Sequence, residues 1–182
     1  MASQLDKLAL VLSVSSAGFL AGNYARIKVN NIEVKCKPTF RESGDKGLRG
    51  LHIVVINTTN CQVYSAQVFD TYRSSEQFDK FIDEPLPEGH IVAAACQDEC
   101  VSKLSDKGVE WFEKLGSVCI SKLRYRCGFA FLGVVGSKEP LEQMSTKKEV
   151  PVSVSQIFQL NTKVAAESVA STINYPFSTQ ED

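Results

Sequence analysis

The stretch Leu51–Phe69, LHIVVINTTNCQVYSAQVF, decides the fold. Leu51 to Ile56 is an uninterrupted apolar run with β-branched members, the pattern of a strand covered on both faces. Gln62 to Phe69 reads as its partner, alternating through Val63, Ala66 and Val68, with Thr58 to Cys61 as the turn of a hairpin. Downstream, Ser74-x-x-Gln77 has capping-box spacing, Phe78, Phe81 and Ile82 form one apolar stripe, and Pro85 ends the predicted helix. His90 to Cys96 is a second uninterrupted strand. A second helix is expected after Ser105 as cap, with Asp106 in its first turn, Leu104, Gly108, Phe112 and Leu115 on the inner face and Gly116 as its stop. Short strands are expected at Val118–Ile120 and Phe129–Val135. The alternation of strands and helices from Leu51 to Val135 predicts an α/β domain, a mixed β-sheet core flanked by helices in two or three layers rather than a sandwich.

Upstream of that core, Ile27, Val29, Ile32 and Val34 flank Asn30-Asn31, the pattern of a small hairpin. Arg41 to Gly50 is charged and glycine-bearing, as in a surface loop. Residues 8–22, LALVLSVSSAGFLAG, resemble a secretory signal peptide cleaved near Ala21 or Gly22, or a short anchor, with an ordinary buried segment as the alternative. The run is too short and too interrupted for a stable membrane span. Val152 to Leu160 reads as a last edge strand, and residues 161–182 as a flexible tail. The expected organisation is a signal or anchor over 1–22, one domain over 23–160 and the tail over 161–182.

The 182 residues are 43% hydrophobic and 9% aromatic, enough for one core burying about 70% of the unfolded chain's surface. A formal charge of -1 offers no large positive field, so nucleic acid is not an expected partner. Six cysteines, Cys36, Cys61, Cys96, Cys100, Cys119 and Cys127, form an even set that suits an oxidising compartment. The sequon Asn57-Thr58-Thr59 makes Asn57 a candidate glycosylation site on an exposed turn.

The chain is poor in the groups that catalysis needs. His52 and His90 are the only histidines, and both begin predicted strands, where backbone or water partners are the ordinary fate. The spacing of Cys96, Cys100, Cys119 and Cys127 lacks the short paired knuckles of a structural zinc site, so no metal is expected. C-x-x-C and phosphate-cradling glycine motifs do not occur, so no cofactor is expected. The acidic pair Asp98-Glu99 follows a buried strand, and Arg126 precedes another. Asp98 and Arg126 can therefore meet at one sheet edge, either as a plain salt bridge or as opposed ligands for sugar hydroxyls. Tyr125 and Trp111 are candidate faces for a sugar ring, with core packing as the alternative for Trp111.

The segments Leu48–Asn57, Val68-Phe69-Asp70-Thr71-Tyr72, Gln97-Asp98-Glu99 and Lys114-Leu115-Gly116-Ser117 resemble, in order, the ILEI/PANDER (GG) domain family, over roughly Tyr24 to Gly136. The resemblance implies a secreted or lumenal β/α domain without catalytic residues, acting as a cytokine-like signalling ligand for a cell-surface receptor. The stem domain of protein O-linked-mannose N-acetylglucosaminyltransferase belongs to the same family and implies an alternative role, reading β-linked N-acetylglucosamine. Its sugar site uses an acidic residue in a K-D-E-G motif and an arginine in a W-R-D motif, which match Asp98 and Arg126 here, beside Tyr125. The sequence departs at Cys100, where the family has Gly, at Cys127, where it has Asp, and at Phe129, where it has Trp. The two cysteine departures imply a Cys100–Cys127 disulfide at the rim of the site. Oligomeric state is left open.

Overall fold

In the computed structural model, which describes residues 7–39 and 48–161, the deciding stretch forms the expected hairpin. The strands in chain order are β1 (Lys7–Gly18), β2 (Tyr24–Val29), β3 (Ile32–Glu33), β4 (Lys37–Pro38), β5 (Gly50–Asn57), β6 (Gln62–Phe69), β7 (Ile91–Asp98), β8 (Phe129–Val134), β9 (Leu141–Met144) and β10 (Val152–Asn161). Helix α1 (Glu76–Asp83) lies between β6 and β7, and α2 (Asp106–Lys114) between β7 and β8. β5 is central, paired antiparallel to β6 on one edge and to β7 on the other, while β8 extends the sheet from β7 and β9 from β8. β6 and β7 both run antiparallel to β5 and so parallel to each other, which makes β6–α1–β7 a crossover connection over β5.

Period-2 alternation gives the middle strands two buried faces. Leu51, Ile53 and Val55 of β5, Val92, Ala94 and Cys96 of β7, and Phe129 and Phe131 of β8 pack on the helix side with Phe78 of α1 and Phe112 of α2. Phe112 is the hub of that layer, with ring centroids 5.3–6.2 Å from those of Phe78, Phe129 and Phe131. The intervening residues Val54, Ile56, Ile91, Ala93, Ala95, Ala130 and Leu132 face the other way, onto Leu10, Leu12 and Val14 of β1, Ile27 of β2, and Val152 and Val154 of β10.

Strand β1 is formed by the segment for which the sequence left two readings. Residues 8–22 were expected as a signal or anchor, yet Leu10, Leu12, Val14 and Ala17 are fully buried. β1 pairs with β10 along one edge and with β2 along the other, and joins β7 in parallel through Ala17 and Gly18. Ser13 and Ser15 occupy the alternate, half-buried positions of the strand and Ser16 is buried, so Lys7–Gly18 packs as the buried segment that the sequence reading kept as its alternative. Because β1, β2 and β10 curl over one face of the central strands and the helices cover the other, the domain is a single curled mixed sheet with two helices, the expected mixed-sheet core in a form richer in strands than the α/β reading implied.

Several local expectations hold. Asn30 and Asn31, with φ of +50° and +65°, turn the β2–β3 hairpin as mirror-type turns require. Ser105 caps α2 by accepting the Gly108 amide at 3.0 Å. Gly116 terminates it at φ +94°, where a Cβ would stand 2.4 Å from the Lys138 carbonyl. Two others are corrected. Ser74 accepts the Glu76 amide at 3.2 Å, so it caps the turn entering α1 without the reciprocal Gln77 box. Val118–Ile120 is not a strand: Glu142 of β9 accepts the Val118 and Cys119 amides at 2.7 and 3.1 Å, and Ile120–Lys122 is a turn of 3-10 helix. Of the expected 161–182 tail, Asn161 ends β10 and residues 162–182 lie outside the described residues, as does most of the expected Arg41–Gly50 loop.

Candidate functional site

Three chain segments converge at one end of the sheet: the end of β1, the end of β7 and the entry to β8. Gly18 and Asp98 are register partners. A Cβ on Gly18 would lie 1.9 Å from the Arg126 carbonyl oxygen, so glycine is what lets the entry to β8 close on β1. Two residues before Gly18 on β1, Ser16 ties all three together: its buried hydroxyl donates to the Cys96 carbonyl at 2.5 Å and accepts the Phe129 amide at 3.0 Å.

Beyond Asp98 the chain is held tightly. Cys96 and Cys100 form a disulfide across the turn. The buried Glu99 carboxylate accepts the Val101 amide at 2.8 Å and the Ser102 amide at 3.1 Å, and the Thr71 hydroxyl donates to the Cys100 carbonyl at 2.8 Å. The rim disulfide expected between Cys100 and Cys127 is thus corrected: Cys100 is joined to Cys96, four residues away, and Cys127 is a buried free thiol in the same apolar layer. The reading from the sequence paired two positions that flank the site, whereas the sharp turn at Asp98 folds Cys100 back over the end of its own strand.

That turn aims the Asp98 side chain at Arg126. Their ion pair is long, 3.6 Å from Oδ1 to Nε, and these two buried atoms have no hydrogen-bond partner among the described residues. The guanidinium also lies 4.4 Å above the Phe19 ring and 5.1 Å from that of Tyr125, while the Lys148 ammonium stands 5.4 Å from Tyr125. An acceptor carboxylate beside a donor guanidinium, walled by exposed aromatic rings, is an arrangement able to take paired hydroxyl groups.

Asp98, Arg126 and Tyr125 are therefore brought together as the sequence suggested. Trp111 is elsewhere, packed edge-on against Phe78, Phe81 and Phe112 in the helical layer. Asn57 ends β5, where its side-chain oxygen accepts the Thr59 amide at 2.8 Å. The sequence reading missed Phe19, hidden in the presumed leader, and an open groove beside the pair lined by Tyr72, Arg73, Ser102, Lys103 and Tyr125. Tyr72 carries a signal in hindsight. It closes the Val68–Tyr72 motif, whose Asp70 takes a two-pronged bond from Arg49 at 2.7 and 3.1 Å while the Arg49 guanidinium lies 4.3 Å over the Tyr72 ring.

The histidines have structural surroundings. His52 donates from Nε2 to the Leu48 carbonyl at 2.6 Å, and burial lowers its pKa against a smaller opposing effect of that bond. His90 meets Tyr64 edge-on at 5.6 Å. Burial, aided by the Glu33 charge, pushes the Cys36 thiol up to about 12, and burial also raises Cys61 and Cys119. No helix among the described residues is long and apolar enough to cross a membrane.

Residues 49–137, from Arg49 through the Asp98–Arg126 corner, match the family model described as interleukin-like EMT inducer. The chain is similar to human "Protein FAM3A", 33% identical over 98 residues, covering 52% of this chain and 42% of that protein. Mouse "Protein FAM3D" is 31% identical over 97 residues, covering 52% of this chain and 44% of that protein. The human "Cell migration-inducing and hyaluronan-binding protein" is 28% identical over 120 residues, covering 62% of this chain and 9% of that protein. The chain thus spans less than half the length of these relatives. Across residues 49–137 it carries a domain of the interleukin-like EMT inducer family.

Proposed function

We propose that this protein is a non-catalytic, cytokine-like recognition domain that acts outside the cell or in the secretory lumen on a cell-surface partner. The family match over residues 49–137 carries this reading. The histidine and thiol environments support its non-catalytic part, because buried imidazole and pKa-raised thiols are poor bases and nucleophiles at neutral pH. Asp98, Arg126 and Tyr125 are the contact residues of this proposal, and Asn57 is its glycan acceptor.

A second reading is favoured by one observation: the Asp98 carboxylate and the Arg126 guanidinium meet at 3.6 Å beside the exposed rings of Phe19 and Tyr125. The Arg126 and Asp98 side chains keep 36% and 19% of their surface exposed, so hydroxyls of a sugar ring can accept from the guanidinium and donate to the carboxylate at their outer atoms. This supports a carbohydrate site of the β-linked N-acetylglucosamine type, and the relative named as hyaluronan-binding supports glycans as a ligand class.

One experiment tests both. Labelled protein and its Asp98→Asn variant are titrated onto cultured cells before and after enzymatic removal of surface glycans. Saturable binding that survives deglycosylation supports a protein receptor, and binding lost both by deglycosylation and in the variant supports the sugar site. The absence of saturable binding to any of a broad panel of cells counts against the recognition reading itself.

A further inference from the structure

We infer that Phe19, presented by the turn between β1 and β2, is a specificity-determining residue of the Asp98–Arg126 corner: its ring takes the C–H face of the bound sugar, so the site selects pyranoses whose ring hydroxyls are all equatorial. This rests on the carbohydrate reading of that pair. It also goes beyond the family, because Phe19 lies outside residues 49–137, the segment that matches the family model.

The turn holds this ring in a fixed place. Phe19–Ala21 is one turn of 3-10 helix with no buried residue. It starts at Gly18, whose missing Cβ admits the Arg126 carbonyl, and it closes where the Asn23 amide donates to the Gly18 carbonyl at 3.1 Å, with Gly22 at φ +114° just before. Phe19 nevertheless keeps 46% of its surface exposed, so burial does not explain its position. The ring stands instead against a charge. The Arg126 guanidinium lies 4.4 Å from the Phe19 centroid and 5.1 Å from that of Tyr125, itself 42% exposed. Two exposed rings thus meet at the guanidinium that faces Asp98.

A pyranose has two kinds of surface. Equatorial hydroxyls project from its rim, and axial C–H bonds cover its faces when every substituent is equatorial. Rim hydroxyls suit the outer atoms of the carboxylate and guanidinium, and C–H faces suit aromatic rings. A sugar whose rim reaches Arg126 therefore meets Phe19 and Tyr125 with its faces. Inverting one ring carbon turns a hydroxyl from the rim onto a face, where it loses water and gains no partner from a phenyl ring. Phe19 is the more selective of the two rings, because the Tyr125 phenol can still donate or accept at its tip.

The test is NMR titration of the full chain with two glycosides that differ only at C4: methyl β-N-acetylglucosaminide, with an equatorial hydroxyl there, and methyl β-N-acetylgalactosaminide, with an axial one. The parent is expected to bind the first about tenfold more tightly, and the ring protons of that sugar to shift upfield in the aromatic ring current. Phe19→Leu, which keeps apolar bulk and removes the ring, is expected to lose about tenfold in affinity for it, with most of the upfield shift and of the preference. Phe19→Trp is expected to keep all three. Equal binding of the two glycosides by the parent, or a Phe19→Leu variant that binds and discriminates as the parent does, overturns the inference and leaves the carbohydrate reading standing. A Phe19→Leu variant that binds weakly yet leaves the upfield shift intact also overturns it, by making Phe19 a support for Arg126 and not a contact. If neither glycoside binds the parent, the carbohydrate reading falls first and the inference with it.

Discussion

Asp98 and Arg126 both adopt left-handed backbone, each with a φ of +61°, and their side chains meet across 3.6 Å. Left-handed geometry costs an L-residue about 1–2 kcal/mol and is best tolerated by Asn, Asp and Gly. Two such residues facing one another mean that the fold imposes this corner. The ion pair itself is long and partly exposed, so it repays little of the cost. Asp98→Asn, which keeps the backbone preference, is expected to unfold in urea within about 1 kcal/mol of the parent. Asp98→Ala is expected to lose about 1 kcal/mol more than Asn. An alanine variant as stable as the asparagine variant would show that the corner is not held left-handed in solution.

Gly18 links the core strand to this corner. Its backbone is ordinary extended chain, so an alanine there meets no conformational objection; the obstacle is the Arg126 carbonyl, 1.9 Å from the added methyl. Backbone must move on one side or the other. Gly18→Ala is expected to destabilise the protein by about 1–3 kcal/mol and to displace Arg126. Gly89→Ala is the control, with its nearest contact an ordinary 3.8 Å to Thr58 but a φ of +82°. Equilibrium unfolding gives both stabilities, and the amide shift of Arg126 separates them: it moves in the first variant and stays in the second.

Cys96 and Cys100 enclose Asp98 in a loop of sequence separation 4. A chain-entropy account of so short a loop gives about 2 kcal/mol. The double variant Cys96→Ala/Cys100→Ala is expected to lose about that much stability, and a non-reduced peptide map of the parent to show Cys96 linked to Cys100. Alkylation of the unfolded, unreduced chain should mark Cys36, Cys61, Cys119 and Cys127. A Cys100–Cys127 linkage in that map would overturn the arrangement described here.

What was legible in the sequence follows from where the physics is local. The β5–β6 hairpin, the Ser105 cap, the Gly116 stop and the Asn30-Asn31 turn each rest on residues within a few positions of one another, and each is present. Strand β1 was not legible because its pairing is set by distant partners: a short apolar run with serines fits a leader as well as a strand, and β10, β2 and β7, which pair with it, lie far along the chain or carry no local signal of it. The same holds for Val118–Ile120, whose strand-like composition yields to the carboxylate of Glu142, some two dozen residues away. At the site, Asp98 and Arg126 were visible as strand-end residues. Phe19 was hidden in the segment that resembles a leader, and the Cys96–Cys100 pairing by a left-handed turn that composition does not announce.

His52 makes the fold sensitive to acid. It is buried in β5 with its Nε2 proton on the Leu48 carbonyl, and burial holds its pKa below the ordinary 6.5. A histidine with a lowered folded pKa binds its proton more weakly in the folded chain than in the unfolded one, so stability increases with pH across its titration. The stabilising difference is fully present above about 6.5, diminishes as pH falls through that value, and levels off below the folded pKa. His52→Gln removes the titration while its side-chain amide can still donate to Leu48. The parent is therefore expected to lose stability between pH 7 and pH 5 more steeply than the variant in urea unfolding series, and parallel slopes would show that His52 does not carry the dependence.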